Sequence, residues 1–149
     1  LKGIKMSNYV FDYFIKYNYY LIVNYYEVDD SEIFRLKNLP KFSFDKILFD
    51  LKNELDLSDD IFLLGLFYLD KIKKRERINE FNIYLITIII IRLADKYLED
   101  NIAYNDFWAE FVNIDLRRFN FFEYKMLVLL DFNLHIDHSI FDKRKNSLK

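Results

Sequence analysis

The chain has 149 residues, 52% hydrophobic and 19% aromatic, with 22 Lys and Arg against 24 Asp and Glu and a net charge of -2. At that length a single domain buries roughly 68–70% of the surface its unfolded chain exposes, so no disulfide or metal staple is required, and the absence of Cys excludes zinc ribbons, redox pairs and thiol catalysis. Two glycines, Gly3 and Gly65, cannot build a phosphate-cradling loop, and the near-neutral balance does not suit a binder of nucleic acid, which needs a surplus of cations on one face.

One proline and two glycines also leave little material for the tight turns of an all-β fold, so the predicted class is all-α. From Tyr9 the apolar positions Val10, Tyr13, Phe14, Tyr17, Tyr20 and Leu21 recur at three-or-four spacing, which predicts a helix to about Tyr26. A polar loop with Asp29, Asp30 and Ser31 follows, then a connector in which Pro40 pushes the preceding residue towards extended backbone. Ser43 is the expected N-cap of the next helix, with Asp45 favouring the positive end of its dipole and Phe44, Ile47, Leu48, Leu51 and Leu55 as its stripe. Ser58 repeats the arrangement with Asp59 and Asp60, opening a broadly apolar helix through Ile72 that stops in Lys73, Lys74 and Arg75.

In the segment Glu80 to Leu98 two rules compete. Ile83, Ile86 and Ile88 to Ile91 are β-branched and suit a strand by propensity, but about 19 residues without a turn signal are long for a strand and ordinary for a helix. A helix apolar on nearly every side belongs in the middle of the domain. Its apolar run, Ile83 to Ile91, is closed by Arg92 and falls short of the about 20 residues that cross a membrane. Asn105 is the expected cap of a short helix through Trp108 and Phe111. Asp115 caps the last, which carries Phe119, Phe122, Met126, Leu127, Leu129 and Leu130 and ends near Asp131. The sum is six helices without internal repeat, one central and the others wrapped round it. The basic cluster Lys143, Arg144, Lys145 and Lys149 reads as a solvated tail, with a weak nuclear-localisation signal as the sharper reading. No cleavable secretory leader is legible, so an intracellular setting, nucleus or cytoplasm, is expected.

Catalytic constellations are missing. His135 and His138 read as surface histidines in a loop, without further ligands nearby for a metal. Serines occur singly before helices, and carboxylate pairs such as Asp59 and Asp60 stand where capping or solvation explains them. Neither a metal nor a cofactor is expected. The wealth of Phe and Tyr is mostly core, and an exposed remainder would mark a protein-binding face.

At the central helices the order of residues becomes specific. The strings Tyr68-Leu69-Asp70-Lys71-Ile72, Ala94-Asp95-Lys96-Tyr97-Leu98-Glu99-Asp100 and Phe122-Glu123-Tyr124-Lys125-Met126-Leu127-Val128-Leu129-Leu130-Asp131-Phe132, with Leu85-Ile86-Thr87 between the first two, resemble a cyclin box. They are most similar to the phosphate-response subgroup, the P-type and U-type cyclins, which have YLDR-like, AAKFLDD-like and ELEFLFLLDF-like strings at these places. The similarity runs from about Pro40 to Leu134. It implies a single cyclin-box fold of five box helices plus a leading helix, with an N-terminal helix and connector over 1–39, the box over 40–134 and a C-terminal tail over 135–149.

The resemblance further implies a regulatory subunit and not an enzyme. Its partner would be a cyclin-dependent protein kinase, whose C-helix it pushes inward so that the kinase's own catalytic lysine and glutamate pair and the activation loop is placed. No nucleic-acid or membrane partner is implied. The kinase-binding residues carried over are Lys96 and Glu123, with Tyr97, Asp100 and Lys71 beside them; from the residues alone, Lys96 and Glu123 are solvated surface charges. Three departures stand out. Val112 and Asn113 replace a glycine pair of the subgroup, and Lys71 replaces an arginine and loses its fork. The substrate-docking pattern of the cell-cycle cyclins is only half present: Ile47 and Leu48 match, while Phe44, Asp45 and Leu51 stand where Met, Arg and Trp would be. The alternative reading is a cyclin-fold scaffold or a transcription-factor-like adaptor that does not activate a kinase.

Overall fold

The computed structural model describes residues 9–23, 33–99 and 103–149, and every regular element in them is a helix. In chain order these are α1 (Tyr9–Val23), α2 (Phe44–Leu55), α3 (Asp59–Ile72), α4 (Ile83–Leu98), α5 (Asn105–Glu110), α6 (Leu116–Leu129) and α7 (His138–Ser147). The expected extension of α1 to Tyr26 and the loop at Asp29 to Ser31 lie outside the described residues.

Two of the four expected caps form as read. The Ser43 hydroxyl accepts from the Lys46 amide at 3.3 Å, and the Asp115 carboxylate accepts from the Arg118 amide at 2.8 Å, each satisfying an orphan donor of its first turn. The other two are corrected. Ser58 has the extended backbone of an N-cap, but its hydroxyl donates to Glu99 at 2.7 Å and ties the start of α3 to the end of α4. Asn105 is the first residue of α5, with Tyr104 in the capping position, and its amide turns towards α4 and α6 instead. The central helix starts at Ile83 and not Glu80 because two asparagines close a turn ahead of it. The Asn79 side chain accepts from the amides of Phe81 (2.8 Å) and Asn82 (3.1 Å), and Asn82 answers by accepting from the Asn79 amide (2.9 Å).

Burial settles the contest over α4: Ile83 and every residue from Leu85 to Asp95 are buried. A β-branched residue in a helix loses up to about 0.7 kcal/mol against Ala, whereas burying an isoleucine side chain gains about 1.5–3 kcal/mol, so packing overrides propensity. Around this axis α3 and α6 pack on α4, α1 packs on α3, and α5 on α6. Gly65 lets α1 and α4 press on α3 from both sides, since a Cβ there would meet the Phe14 ring at 3.2 Å and Ile90 at 3.4 Å. At the departure from the cyclin pattern, Asn113 takes the left-handed conformation (φ 55°), which asparagine tolerates better than most residues that could replace glycine.

The solvated tail is the largest correction. Residues 138–147 form α7, docked on α3: Arg144 bonds Asp70 at 2.6 Å, Lys145 bonds Asp60 at 2.7 Å, and Phe141 stacks on Phe67 at 6.0 Å. Two of the four cations are thus paired within the fold. Among the described residues, no helix is long and apolar enough to cross a membrane.

Candidate functional site

The C-terminal turns of α4 carry two ion pairs of different character. One turn inside the end, Arg92 and Asp95 bond at 2.8 Å with side chains 5% and 0% exposed. Arg92 also lies over the Trp108 ring at 5.4 Å and donates through Nε to Asn105 Oδ1 at 2.9 Å. The Asn105 amide nitrogen then donates to Asn120 Oδ1 (2.8 Å) and to Glu123 Oε1 (3.1 Å), so both ends of that side chain are engaged. Glu123 on α6 receives the Lys96 ammonium at 2.9 Å and 3.0 Å. A continuous polar chain therefore runs from the buried Asp95 to the surface at Lys96.

This chain opens into a groove of about 480 Å³ whose lining includes Arg92, Lys96, Tyr104, Asn105, Leu116 and Asn120. The Lys96 side chain is 36% exposed and that of Glu123 only 12%, so the two are not equivalent surface charges. Glu123 is a held acceptor, and Lys96 is the half that reaches solvent. Tyr104 is 79% exposed and Leu116 45%, which leaves apolar area beside a charge pair already partly stripped of water. A partner docking here meets a lysine donor and a carboxylate acceptor fixed in position, which can bond backbone groups on the opposing surface.

Of the other sequence candidates, Tyr97 is exposed at the same helix end, its hydroxyl 2.9 Å from His135 Nδ1. Lys71 is placed elsewhere: it donates to the Asn133 carbonyl at 3.3 Å, while Arg75, in the turn just past the same helix, bonds the Leu129 carbonyl and grips Asp131 with both nitrogens. These cations hold the C-terminal turn of α6, where carbonyls are unpaired by the helix. Asp131 and Phe132 both have positive φ there (55° and 54°), and the Phe132 ring is 61% exposed. Asp100 lies outside the described residues.

The docking-patch remnants are largely covered, with Ile47 5% exposed and Leu48 and Leu51 fully buried. Only Ile47 reaches a groove, of about 270 Å³, which it lines with Phe42, Phe107 and Phe111 between the carboxylates of Asp50, Glu54 and Glu110. His135 lies in the α6–α7 loop as read, whereas His138 opens α7, 3.3 Å from Asp142. Among the described residues, no group of three His, Cys, Asp or Glu side chains is arranged to hold a metal. Sequence reasoning missed Asn105, Asn120 and Arg92. Their only signal was a buried-side position for Arg92 on the central helix, where an arginine requires a partner.

The all-helical architecture with a buried central helix is the fold the resemblance implied. The family model for cyclins matches residues 22–134, and the chain belongs to the cyclin family. It is similar to the PHO85 cyclin-like protein psl1 of Schizosaccharomyces pombe, 33% identical over 108 residues that cover 70% of this chain and 44% of that protein. It is similar also to two Arabidopsis thaliana proteins. Cyclin-U2-2 is 24% identical over 75% of this chain and 50% of its own length, and Cyclin-U4-1 30% identical over 57% and 44%. These are cyclins of the phosphate-response and U types, as the strings around Lys96 and Glu123 imply. The chain spans about half the length of the curated relatives it matches.

Proposed function

We propose that this chain binds a cyclin-dependent protein kinase through the groove at the end of α4 and activates it, with no catalytic step of its own. The carrying observation is the bridge of Lys96 to Glu123, braced from behind by Asn105 and Arg92 and flanked by exposed Tyr104 and Leu116. An oriented pair at the rim of a groove that exposes Tyr104 and Leu116 suits the backbone of a kinase C-helix, which activation must move and hold inward. Tyr97, at the same helix end but lining a neighbouring groove with His135 and Phe141, and Lys71, which bonds the chain just past the α6 turn that bears Phe132, are outer contacts of the same partner. The kinase's own lysine, glutamate and metal-bound nucleotide do the chemistry, so the site is inside the cell, nucleus or cytoplasm, wherever that kinase works.

The test is co-purification with a cyclin-dependent kinase, followed by a phosphorylation assay with and without this chain. Lys96→Ala and Glu123→Ala each remove one partner of a pair that docking desolvates, which costs about 2–5 kcal/mol of binding, or roughly 30-fold or more in affinity. Binding that survives both substitutions would place the interface elsewhere. Binding without any gain in phosphorylation would make the chain a scaffold.

A further inference from the structure

We propose that the outward face of α6 is a docking strip for an acidic amphipathic segment of a second protein, on a different flank of the helix from Glu123. Arg117, Phe121, Tyr124 and Val128 follow one another at four, three and four residues, which sets them along one side. That side faces solvent: Phe121 is 51% exposed, Tyr124 55% and Val128 41%, while Phe119, Phe122 and Met126 turn into the core. Three large apolar side chains in file on an exposed helix form a contiguous patch rather than scattered single exposures.

The charges beside the strip select the partner. Arg118 and Lys125 stand along it, their cations over the rings of Phe122 (5.8 Å) and Phe121 (5.4 Å), and Arg117 heads it. No carboxylate of the described residues pairs with the side-chain cation of any of the three; Asp115 accepts only from the Arg118 backbone amide. The one acid within α6, Glu123, is engaged by Lys96 and Asn105 on the other flank, and Asp115 caps the helix. In a chain of net charge -2, this face is a local surplus of positive charge around an apolar centre. Its complement is a segment with apolar anchors at i, i+4 and i+7 and Asp or Glu between them. A nucleic-acid duplex fits less well, because the phosphates would have to lie over three apolar side chains. The strip stands on its own observations and leaves Lys96 free, so the chain can hold a kinase and a second protein together.

The test is a 15N NMR titration of the whole chain with a synthetic helix-forming peptide of about 14 residues, with Leu and Phe at the anchor positions and Glu and Asp elsewhere. The expected result is micromolar binding with shifts at Phe121, Tyr124 and Val128. Arg117→Glu with Lys125→Glu, and separately Phe121→Ser with Val128→Ser, should each weaken it about tenfold or more. Both variants should still co-purify with the kinase, so failure of the strip and failure of the kinase reading are told apart. Three results overturn the proposal: equal binding of the same peptide with Lys in place of Glu and Asp, shifts that map away from α6, or a DNA duplex that binds more tightly and displaces the peptide. The shift map on the parent chain decides the question even if a variant fails to fold.

Discussion

Arg92–Asp95 and Lys96–Glu123 are two ion pairs within the last two turns of one helix, at 2.8 Å and 2.9 Å, and geometry alone does not separate them. Burial does. Both members of the first pair are sealed from water, so each is tolerable only while the other neutralises it; the second keeps its lysine 36% exposed, so water can replace either interaction at small cost. The inner pair is therefore part of the fold, and the outer pair is free to serve an interface. Asn105 joins them, so that the stable pair fixes the orientation of the labile one.

The largest effect follows from the inner pair. Asp95→Ala leaves a guanidinium in the core, and breaking a buried pair costs about 3–5 kcal/mol. For a chain of this size each kcal/mol is about 2–4 °C, so calorimetry should show a melting temperature roughly 6–20 °C below the parent. A variant that melts within a degree or two of the parent would erase the distinction between the pairs. The neighbouring crowded contact is a milder case. Gly65→Val adds three carbons where even a Cβ meets Phe14 at 3.2 Å, and overpacking of that kind costs about 1–3 kcal/mol. Gly65→Ala should come closer to neutral, because the helix-propensity gain of about 1 kcal/mol offsets the crowding. If Gly65→Val is as stable as the parent by urea titration, α1 does not press on α3 there.

These residues also show what could be read from the sequence. α4 was legible from its length despite its isoleucines, because no turn signal interrupts it, and Ser43 and Asp115 were legible as caps because capping is a local interaction. α7 was not. Only Ile140 and Phe141 are large and apolar within it, and what holds it are Asp70 and Asp60, 74 and 85 residues away from Arg144 and Lys145. Periodicity carries no information about such pairings. Ser58 and Asn105 misled for the same reason: each is a good capping residue by type, recruited by a partner on a distant helix. Lys96 and Glu123 emerged from the family strings, and nothing in their own spacing distinguishes them from solvated charges.

Alkaline pH probes the shell around the core rather than α4. Burial and the hydrogen bond to Asp45 push the Tyr19 phenol up to about 12, burial and Asp70 raise Tyr17, and burial raises Tyr68, whose hydroxyl donates to the Leu134 carbonyl at 2.7 Å. A raised pKa means that the unfolded chain releases the proton first. The stabilisation is thus complete below about pH 10 and is lost as pH climbs from there through the folded values. Urea midpoints should hold between pH 8 and 10 and fall by pH 11, and Tyr19→Phe should remove part of that fall. A midpoint that rises over the same range would contradict the sign.

The smallest effect is expected where the functional consequence is greatest. Lys96→Ala removes a cation that is 36% exposed, and an exposed pair contributes about 0–1 kcal/mol, so its melting curve in the free chain should nearly overlay the parent's. Glu123→Ala should cost somewhat more, because Glu123 is 12% exposed and also accepts from Asn105. Asn105 keeps Asn120 and Arg92, so the loss stays well below that of Asp95→Ala. The ordering Asp95→Ala, then Glu123→Ala, then Lys96→Ala in stability should therefore invert for the two outer residues in kinase affinity, where each is predicted to lose roughly 30-fold or more while the chain stays folded. A Lys96→Ala chain that melts like Asp95→Ala would make the outer pair structural and move the search for the interface to another face.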